Sequence, residues 1–564
     1  MSGTILTPGA IWRGFETTEI PKAKVIEKSK VGSVNFTRLE IEGRTLEDGT
    51  VKIFALLANG KAPSPSPAIL LIHELEGEGD LALQEELAKK GYTVLSVDVA
   101  GKQEGKPFYT SYPESISYAN YENVKDSLFR IEGDVNHTCW YEWTAVARYA
   151  LSYLKSLEGV EKVGCLGIGL ASTILWQVAG TDDRLDCVCF TLNAGWKGYE
   201  GIYKFSGTVE PQFSDNMYKF IAGVEPQAYA MHVKCPVLML CASNSNDYDC
   251  DRAYDTVSRI DGGVYKAVHY SVGYRTRVNG EAYGNILLFF ENFLKNNEVK
   301  PYLPEEMDIK CELEDGKIVV EVSPDLKEMK GIELFVAEET VKPSLRAWRK
   351  LTDYTSSGDG KLKFSYSPYP QSNLVMCFAQ ARYKSGFVIG SNVVARKFNP
   401  EEVNIGYKSN IIYSSRNSNA ESIFNANHQF KQDNNHINIE DKKRVKIKKG
   451  PMGIDGVYCK WGLMTFKINA SVDKPNPDAL LMFDVFVKES AQVTVKLICD
   501  YFGNPTEYSS TVSLEGGDIW HNIKIQRNKF KSEEGMTLKD YDKVNVIMFD
   551  VSKEEYLINN ALWV

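Results

Sequence analysis

Between residues 34 and 298 the chain moves between two hydrophobic rhythms. NFTRLEIEGR and TVKIFALLA alternate apolar and polar positions on either side of LEDG, which predicts a hairpin over residues 34–58. The run Gly60-Lys61-Ala62-Pro63-Ser64-Pro65-Ser66-Pro67 ends it, because prolines in series cannot sit inside a sheet. Continuous apolar runs follow: AILLIHE, YTVLSVDVAG, KVGCLG, DCVCFTL, CPVLMLCAS and VYKAVHYS. Between them lie the helical patterns DLALQEELAKKG, CWYEWTAVARYALSYLKSL, LASTILWQVAG, CDRAYDTVSRI and AYGNILLFFENFLKNN. Unbroken apolar strands separated by helices predict a mostly parallel sheet covered on both faces.

The rhythm changes at Pro301 and Pro304. KIVVEVS, IELFVAEE, KLKFSYSP, NLVMCFAQARY and FVIGSNVVARKF are short strands at regular spacing, the pattern of a small β-sandwich. Residues 401–440 are polar and rich in Asn and Ser, as a linker or as the first loops of a last domain. From 442 to 564 strands return (RVKIKK, LMTFKIN, ALLMFDVFV, QVTVKLICD, EYSSTVSL, IWHNIKIQ, KVNVIMFDVS, YLINNALWV) and point to a jelly roll. The expectation is a multidomain α/β plus all-β protein, divided as 1–298, 299–400 and 401–564.

Composition narrows the function classes. The chain has 564 residues, more than one core accommodates. Hydrophobic content of 43% and charged content of 25% are those of a globular protein, and a net charge of -9 speaks against nucleic-acid binding. No apolar run reaches the length of a membrane span, and MSGTILTPGAIWRGFE lacks the signal-peptide pattern, which points to the cytoplasm. The 11 cysteines are scattered, several within apolar strands, and read as buried thiols. His137, Cys139 and Glu142 have no second cluster to complete a zinc site, so Thr138 reads as a helix cap and Trp140 and Trp143 as core. No metal or cofactor is expected.

The order of the apolar strands carries a resemblance. AILLIHE ends in His73-Glu74, VDVAG in Asp98-Val99-Ala100-Gly101, and a long helix leads into VGCLGIGLAS. Pro236–Asp251 and Val264–Thr276 follow as two further strand–loop units. In this order residues 50–298 resemble the α/β-hydrolase fold of dienelactone hydrolases and acetyl xylan esterases. The resemblance implies an esterase-like site with a serine in G-x-S-x-G, an acid and a histidine. The matching positions are Gly167-Ile168-Gly169-Leu170-Ala171 for the elbow, Asp247 for the acid, and Arg275 or Thr276 for the histidine. Glycine has no side chain to attack a carbonyl, and neither Arg275 nor Thr276 is a general base.

Neighbouring residues do not replace them. Cys165 lies inside the strand, Ser172 reads as a helix hydroxyl, and His269 as a packed strand histidine. Asp249 or Asp251 reads as a helix N-cap. The loop His73-Glu74-Leu75-Glu76-Gly77-Glu78-Gly79-Asp80 crowds carboxylates where backbone N–H groups would meet an oxyanion, so His73 and Glu74 are candidate ligand contacts instead. Gly195-Trp196-Lys197-Gly198-Tyr199 follows a strand end, where α/β folds bind ligands, which adds Trp196. The last segment resembles carbohydrate-binding and galactose-binding-like jelly rolls through IWHNIKI, LKDYDKV and YLINNALWV, with Tyr458, Trp461, Tyr501 and Trp520 as candidate sugar contacts.

Three readings follow. The first is a degenerate hydrolase that binds a small molecule or glycan without catalysis. The second is an active ester hydrolase or deacetylase on acylated carbohydrate with a nonstandard site. The third is carbohydrate binding through the C-terminal jelly roll.

Overall fold

The computed structural model describes the chain except residues 1–3, 16–18, 61–65, 77–78, 209–210, 274–276, 417–419, 427–436 and 438–444. Its first part is a sheet of nine strands: β1 Ala23–Val31, β2 Val34–Leu46, β3 Gly49–Asn59, β4 Ser66–Ile72, β5 Thr93–Val97, β6 Val160–Gly167, β7 Cys187–Thr191, β8 Val237–Ala242 and β9 Lys266–Ser271. They lie in the order β1-β2-β3-β5-β4-β6-β7-β8-β9. β1 to β3 and the β3–β5 pair are antiparallel, and β5 through β9 are parallel. The strands β4, β5, β7, β8 and β9 are buried at every position. Side chains alternate across a strand, so both faces are covered.

The predicted hairpin is β2 and β3, and each predicted strand and helix of the parallel region is present. β1 is an addition that the hydrophobic pattern does not announce, because all nine of its residues are exposed. The helix Cys139–Ser156 buries Trp140 and Trp143, whose indoles donate to Leu128 O and Ala119 O. Thr138 does not cap it through its side chain; its hydroxyl donates to Val135 O instead. Ten of the eleven cysteines are buried, and Cys499 is partly so.

The small β-region holds β10 Asp308–Glu314, β11 Lys317–Ser323, β12 Met329–Glu338, β13 Arg349–Leu351, β14 Thr355–Ser356, β15 Leu362–Tyr366, β16 Leu374–Tyr383, β17 Val388–Gly390 and β18 Val394–Lys397. One layer is the sheet β10-β11-β15-β14. The other extends the parallel sheet beyond β9 through β17, β16, β12 and β13, with Gly390 opposite Val268. A side chain at Gly390 would meet the Tyr270 ring, so close approach at this seam needs glycine.

The last part forms two antiparallel sheets. One contains β19 Ile411–Tyr413, β21 Lys446–Lys449, β22 Asp455–Tyr458, β24 Leu481–Val487, β27 Trp520–Ile525 and β29 Tyr556–Trp563. The other contains β20 Ile423–Asn425, β23 Leu463–Thr465, β25 Ala491–Cys499, β26 Thr506–Leu514 and β28 Val544–Val551. Phe483 of the first meets Phe549 of the second at 5.1 Å between ring centroids. Part of the Asn-rich segment thus supplies strands, β19 and β20. Among the described residues no helix is long and apolar enough to cross a membrane, and no cluster of His, Cys, Asp and Glu could hold a metal ion.

Candidate functional site

Parallel strands bring the C-terminal ends of β4, β6, β7, β8 and β9 to one edge. β6 stops at Gly167, Ile168 is extended, and Gly169 takes φ +59 before a turn into the helix Ser172–Ala179. Left-handed backbone at this position suits glycine. A Cβ at Gly167 would lie 2.9 Å from Ser172 Cα, so the strand-to-helix turn requires a small residue there. Ser172 opens the helix fully buried. Its Oγ lies 3.0 Å from Gly167 O and 2.9 Å from Thr191 O, and accepts the Thr191 N–H. Burial pushes the Cys165 thiol well up. Neither residue offers a reactive nucleophile.

The space beside Gly169 belongs to Glu74, at the end of β4. A side chain added at Gly169 would overlap Glu74 Oε2. The carboxylate accepts the Leu170 N–H (3.2 Å to Oε1, 3.1 Å to Oε2) and the Leu75 N–H (3.1 Å to Oε1). In the hydrolase arrangement, an N–H after the nucleophile and an N–H from the preceding strand's loop form the oxyanion hole. Leu170 follows Gly169 and Leu75 follows the end of β4, and both donate to this one carboxylate. Buried His73 gives its Nδ1–H to Glu74 O at 2.7 Å. Asp80 caps the helix Leu81–Lys89 by accepting the Leu83 N–H, and Glu76 accepts the Tyr121 hydroxyl at 2.8 Å. Three of the four carboxylates seen in the sequence thus accept hydrogen bonds within the chain, and Glu78 lies outside the described residues.

The loop after β8 is committed to the neighbouring β-region. Asp247 is exposed, and Asp249 caps the turn Cys250–Arg252 by accepting the Asp251 N–H. Burial, then the charge of Asp251, pushes the Asp249 carboxyl up to about 7. Asp251 is no helix cap. It is fully buried in a two-pronged bond with Arg346, at 2.5 and 2.6 Å. Asn244 donates to Pro343 O and Arg346 O, and the Ser344 hydroxyl donates to Asn246. The segment around Asp247, the position matched to the acid, thus packs against the loop Pro343–Arg346.

The two positions matched to the histidine, Arg275 and Thr276, lie outside the described residues. His269 sits within β9, wholly buried, and burial lowers it to about 4. It is a neutral core residue at neutral pH. Past the loop, buried Val278 bridges to buried Ile437, a residue of the Asn-rich segment.

The remaining candidates are spread over two regions. Trp196, half-buried with φ +65, donates its indole N–H to Thr256 and lies 5.2 Å from the guanidinium carbons of both Arg252 and Arg259. Tyr458 packs on Tyr556 and lies under Lys448. Trp461 is half-buried against the sandwich core, and Tyr501 contacts Phe466 and Phe502. Trp520 donates to Pro451 O, and side chains at Gly450 or Gly456 would strike its ring. Sequence reasoning missed Glu74's return onto Leu170 and the Asp251–Arg346 pair. A glycine at the elbow together with a glutamate directly after the strand-end histidine was the one available signal for the first.

No family model matches the chain, and no curated protein matches it. Among solved structures it is similar to an acetyl xylan esterase from Paenibacillus sp. R4 (14% identity, 51% of this chain and 92% of that one, TM-score 0.39). It is also similar to acetyl xylan esterase 1 from Thermoanaerobacterium sp. JW/SL YS485 (15%, 49% and 90%, TM-score 0.34). A third is a putative dienelactone hydrolase from Klebsiella pneumoniae subsp. pneumoniae MGH 78578 (15%, 42% and 86%, TM-score 0.28). Scores this low carry no argument about activity. Strand order, the glycine turn after β6 and the helices between parallel strands give the first half of the chain an α/β-hydrolase-like fold.

Proposed function

We propose that the chain is a non-catalytic, esterase-like α/β-hydrolase protein that binds a small molecule or glycan without turning it over. The observation that supports this most is the Glu74 carboxylate, seated on the Leu75 and Leu170 N–H groups beside Gly169. A side chain at residue 169 and an oxyanion on those donors both require Glu74 to leave. The Asp251–Arg346 bond and the Asn244 contacts favour a face used for assembly of the chain. Short-chain nitrophenyl esters test the reading. The purified protein should release nitrophenol no faster than buffer. Turnover abolished by a serine- or cysteine-directed reagent would instead establish an active ester hydrolase or deacetylase.

A second reading concerns the C-terminal jelly roll. In the register of β22, β29, β24 and β27, Tyr458, Leu557, Phe486 and Trp520 fall in one row on the outer face. Beside them Asn522 and Asn560 both donate to Asp484. A half-buried indole next to an amide–carboxylate ladder favours stacking and hydrogen bonding to a sugar ring. Glycan-array binding by the full chain, lost in Trp520→Ala, is the expected result; an array blank for both leaves this region structural.

A further inference from the structure

Away from the hydrolase-like edge, two thiols meet between the two layers of the small β-region. Cys311 is the buried position of β10, an end strand of the sheet β10-β11-β15-β14. Cys377 is fully buried on β16, in the layer that continues through β17 to β9. The Cys377 thiol donates a hydrogen bond to Cys311, and this bond, then burial, pushes it well up. The buried Tyr366 side chain of β15 is within electrostatic reach of both sulfurs. An ion pair crosses between the layers beside them: Glu312, the next residue of β10, meets Arg396 of β18 at 3.3 Å, and β18 pairs with β16. Hydrogen-bonded sulfurs held by two packed layers need only a small side-chain adjustment to reach the ~2 Å of an S–S bond. Cys165, Cys187 and Cys189 differ, since they lie in central strands of the parallel sheet. An end strand opens more readily than a central one, so Cys311 is the thiol that a reagent reaches.

We propose that Cys311 and Cys377 are a redox pair that closes as a reversible disulfide and clamps the outer layer of the small β-region to the sheet it shares with the first half of the chain. The oxidant is a small-molecule disulfide. Cys311, 8% exposed against 0% for Cys377, reacts first. Its thiolate attacks one sulfur of the small disulfide, whose S–S bond breaks and releases one thiolate. The Cys377 thiolate then attacks Cys311 Sγ in the mixed disulfide and expels the second. The two protons given up by the cysteines go to the two released thiolates, and the two electrons leave with them, so one S–S bond forms as one breaks. An excess of small thiol runs both steps backwards.

Oxidised glutathione added to the full chain, followed by alkylation in denaturant and peptide mapping without reduction, tests this. The count of free thiols should fall by two from eleven, with Cys311 linked to Cys377, and dithiothreitol should restore it. Amide hydrogen exchange in β10 and β11 should slow at least ~10-fold in the linked protein. Cys377→Val should stop at a mixed disulfide, with one glutathione on Cys311. Cys311→Val should take up none at Cys377. Eleven free thiols after oxidation, a different pair linked, or a 311–377 link that leaves exchange in β10 and β11 unchanged would overturn the proposal. So would a Cys377→Val protein that carries no glutathione on Cys311. Should a valine variant fail to fold, Cys377→Ser or Cys311→Ser keeps the size of the thiol and carries the same expectation.

Discussion

Two carboxylates stand at the same edge of the parallel sheet and are held in opposite ways. Asp251, after β8, is fully buried against fully buried Arg346, whose other N–H groups go to Thr340 O and Val341 O. Glu74, after β4, is half-buried and accepts neutral backbone N–H groups. Removing one member of a desolvated ion pair strands the other charge without water, whereas losing an acceptor of backbone N–H groups leaves only neutral donors unpaired. The first carboxylate fixes one part of the chain to another. The second joins the loop after β4 to the turn after β6 through backbone donors. Charge at this edge of the sheet is thus no single signature; a charged partner and a pair of backbone donors hold a carboxylate differently.

The largest expected effect breaks the first half of that contrast. Arg346→Met should cost about 3–5 kcal/mol, read from denaturant midpoints, and Asp251→Leu added to it should recover part of the loss. A cost below about 1 kcal/mol would place the pair on the same footing as Glu74.

The next effect is a pH dependence. His269 titrates near 4 in the fold and near 6.5 in its absence, so the unfolded chain binds the extra proton between those values. Stability from this group is complete above 6.5 and is lost as pH falls through 4, by up to about 3 kcal/mol. Glu142 and Asp249, each pushed up to about 7 chiefly by burial, act in the opposite sense, losing their contribution as pH rises toward 7. The difference between native protein and His269→Gln isolates the histidine. The variant should lose less stability than the native chain between pH 6.5 and pH 4, and parallel curves would show His269 to be as easily protonated in the fold as out of it.

Smaller effects fall on the elbow. Gly169→Ser places a side chain at φ +59 against Glu74 and should cost about 1–3 kcal/mol. Glu74→Ala should cost about 1–2 kcal/mol, the scale of hydrogen bonds accepted from backbone N–H groups. A loss as large as that of Arg346→Met would mark Glu74 as a fixed structural member and remove the distinction.

The parallel sheet is legible in the sequence because strands covered on both faces are unbroken apolar runs, and β7 and β8 announce themselves this way. β1 is not legible, since AKVIEKSKV lies exposed along an edge and carries no burial pattern. The elbow shows through Gly167 and Ala171, and at Gly167 the strand–helix approach requires the small size. Its occupant does not show. Leu170 is 96 residues from Glu74, and Arg346 is 95 from Asp251; nothing local marks either pairing. The carboxylate-rich loop gives the composition of the site while its geometry comes only from the crossover of β4 beside β6. Arg275 and Thr276 remain a statement about sequence, as they lie outside the described residues.

Hydrolysis of nitrophenyl acetate by three proteins side by side, native, Glu74→Ala and Gly169→Ser, addresses the site most directly. All three should run at the rate of buffer, because under the non-catalytic reading neither clearing the Leu75 and Leu170 N–H groups nor supplying a serine completes a triad. Native turnover above background that disappears in Glu74→Ala would make Glu74 a reacting carboxylate and contradict the non-catalytic reading.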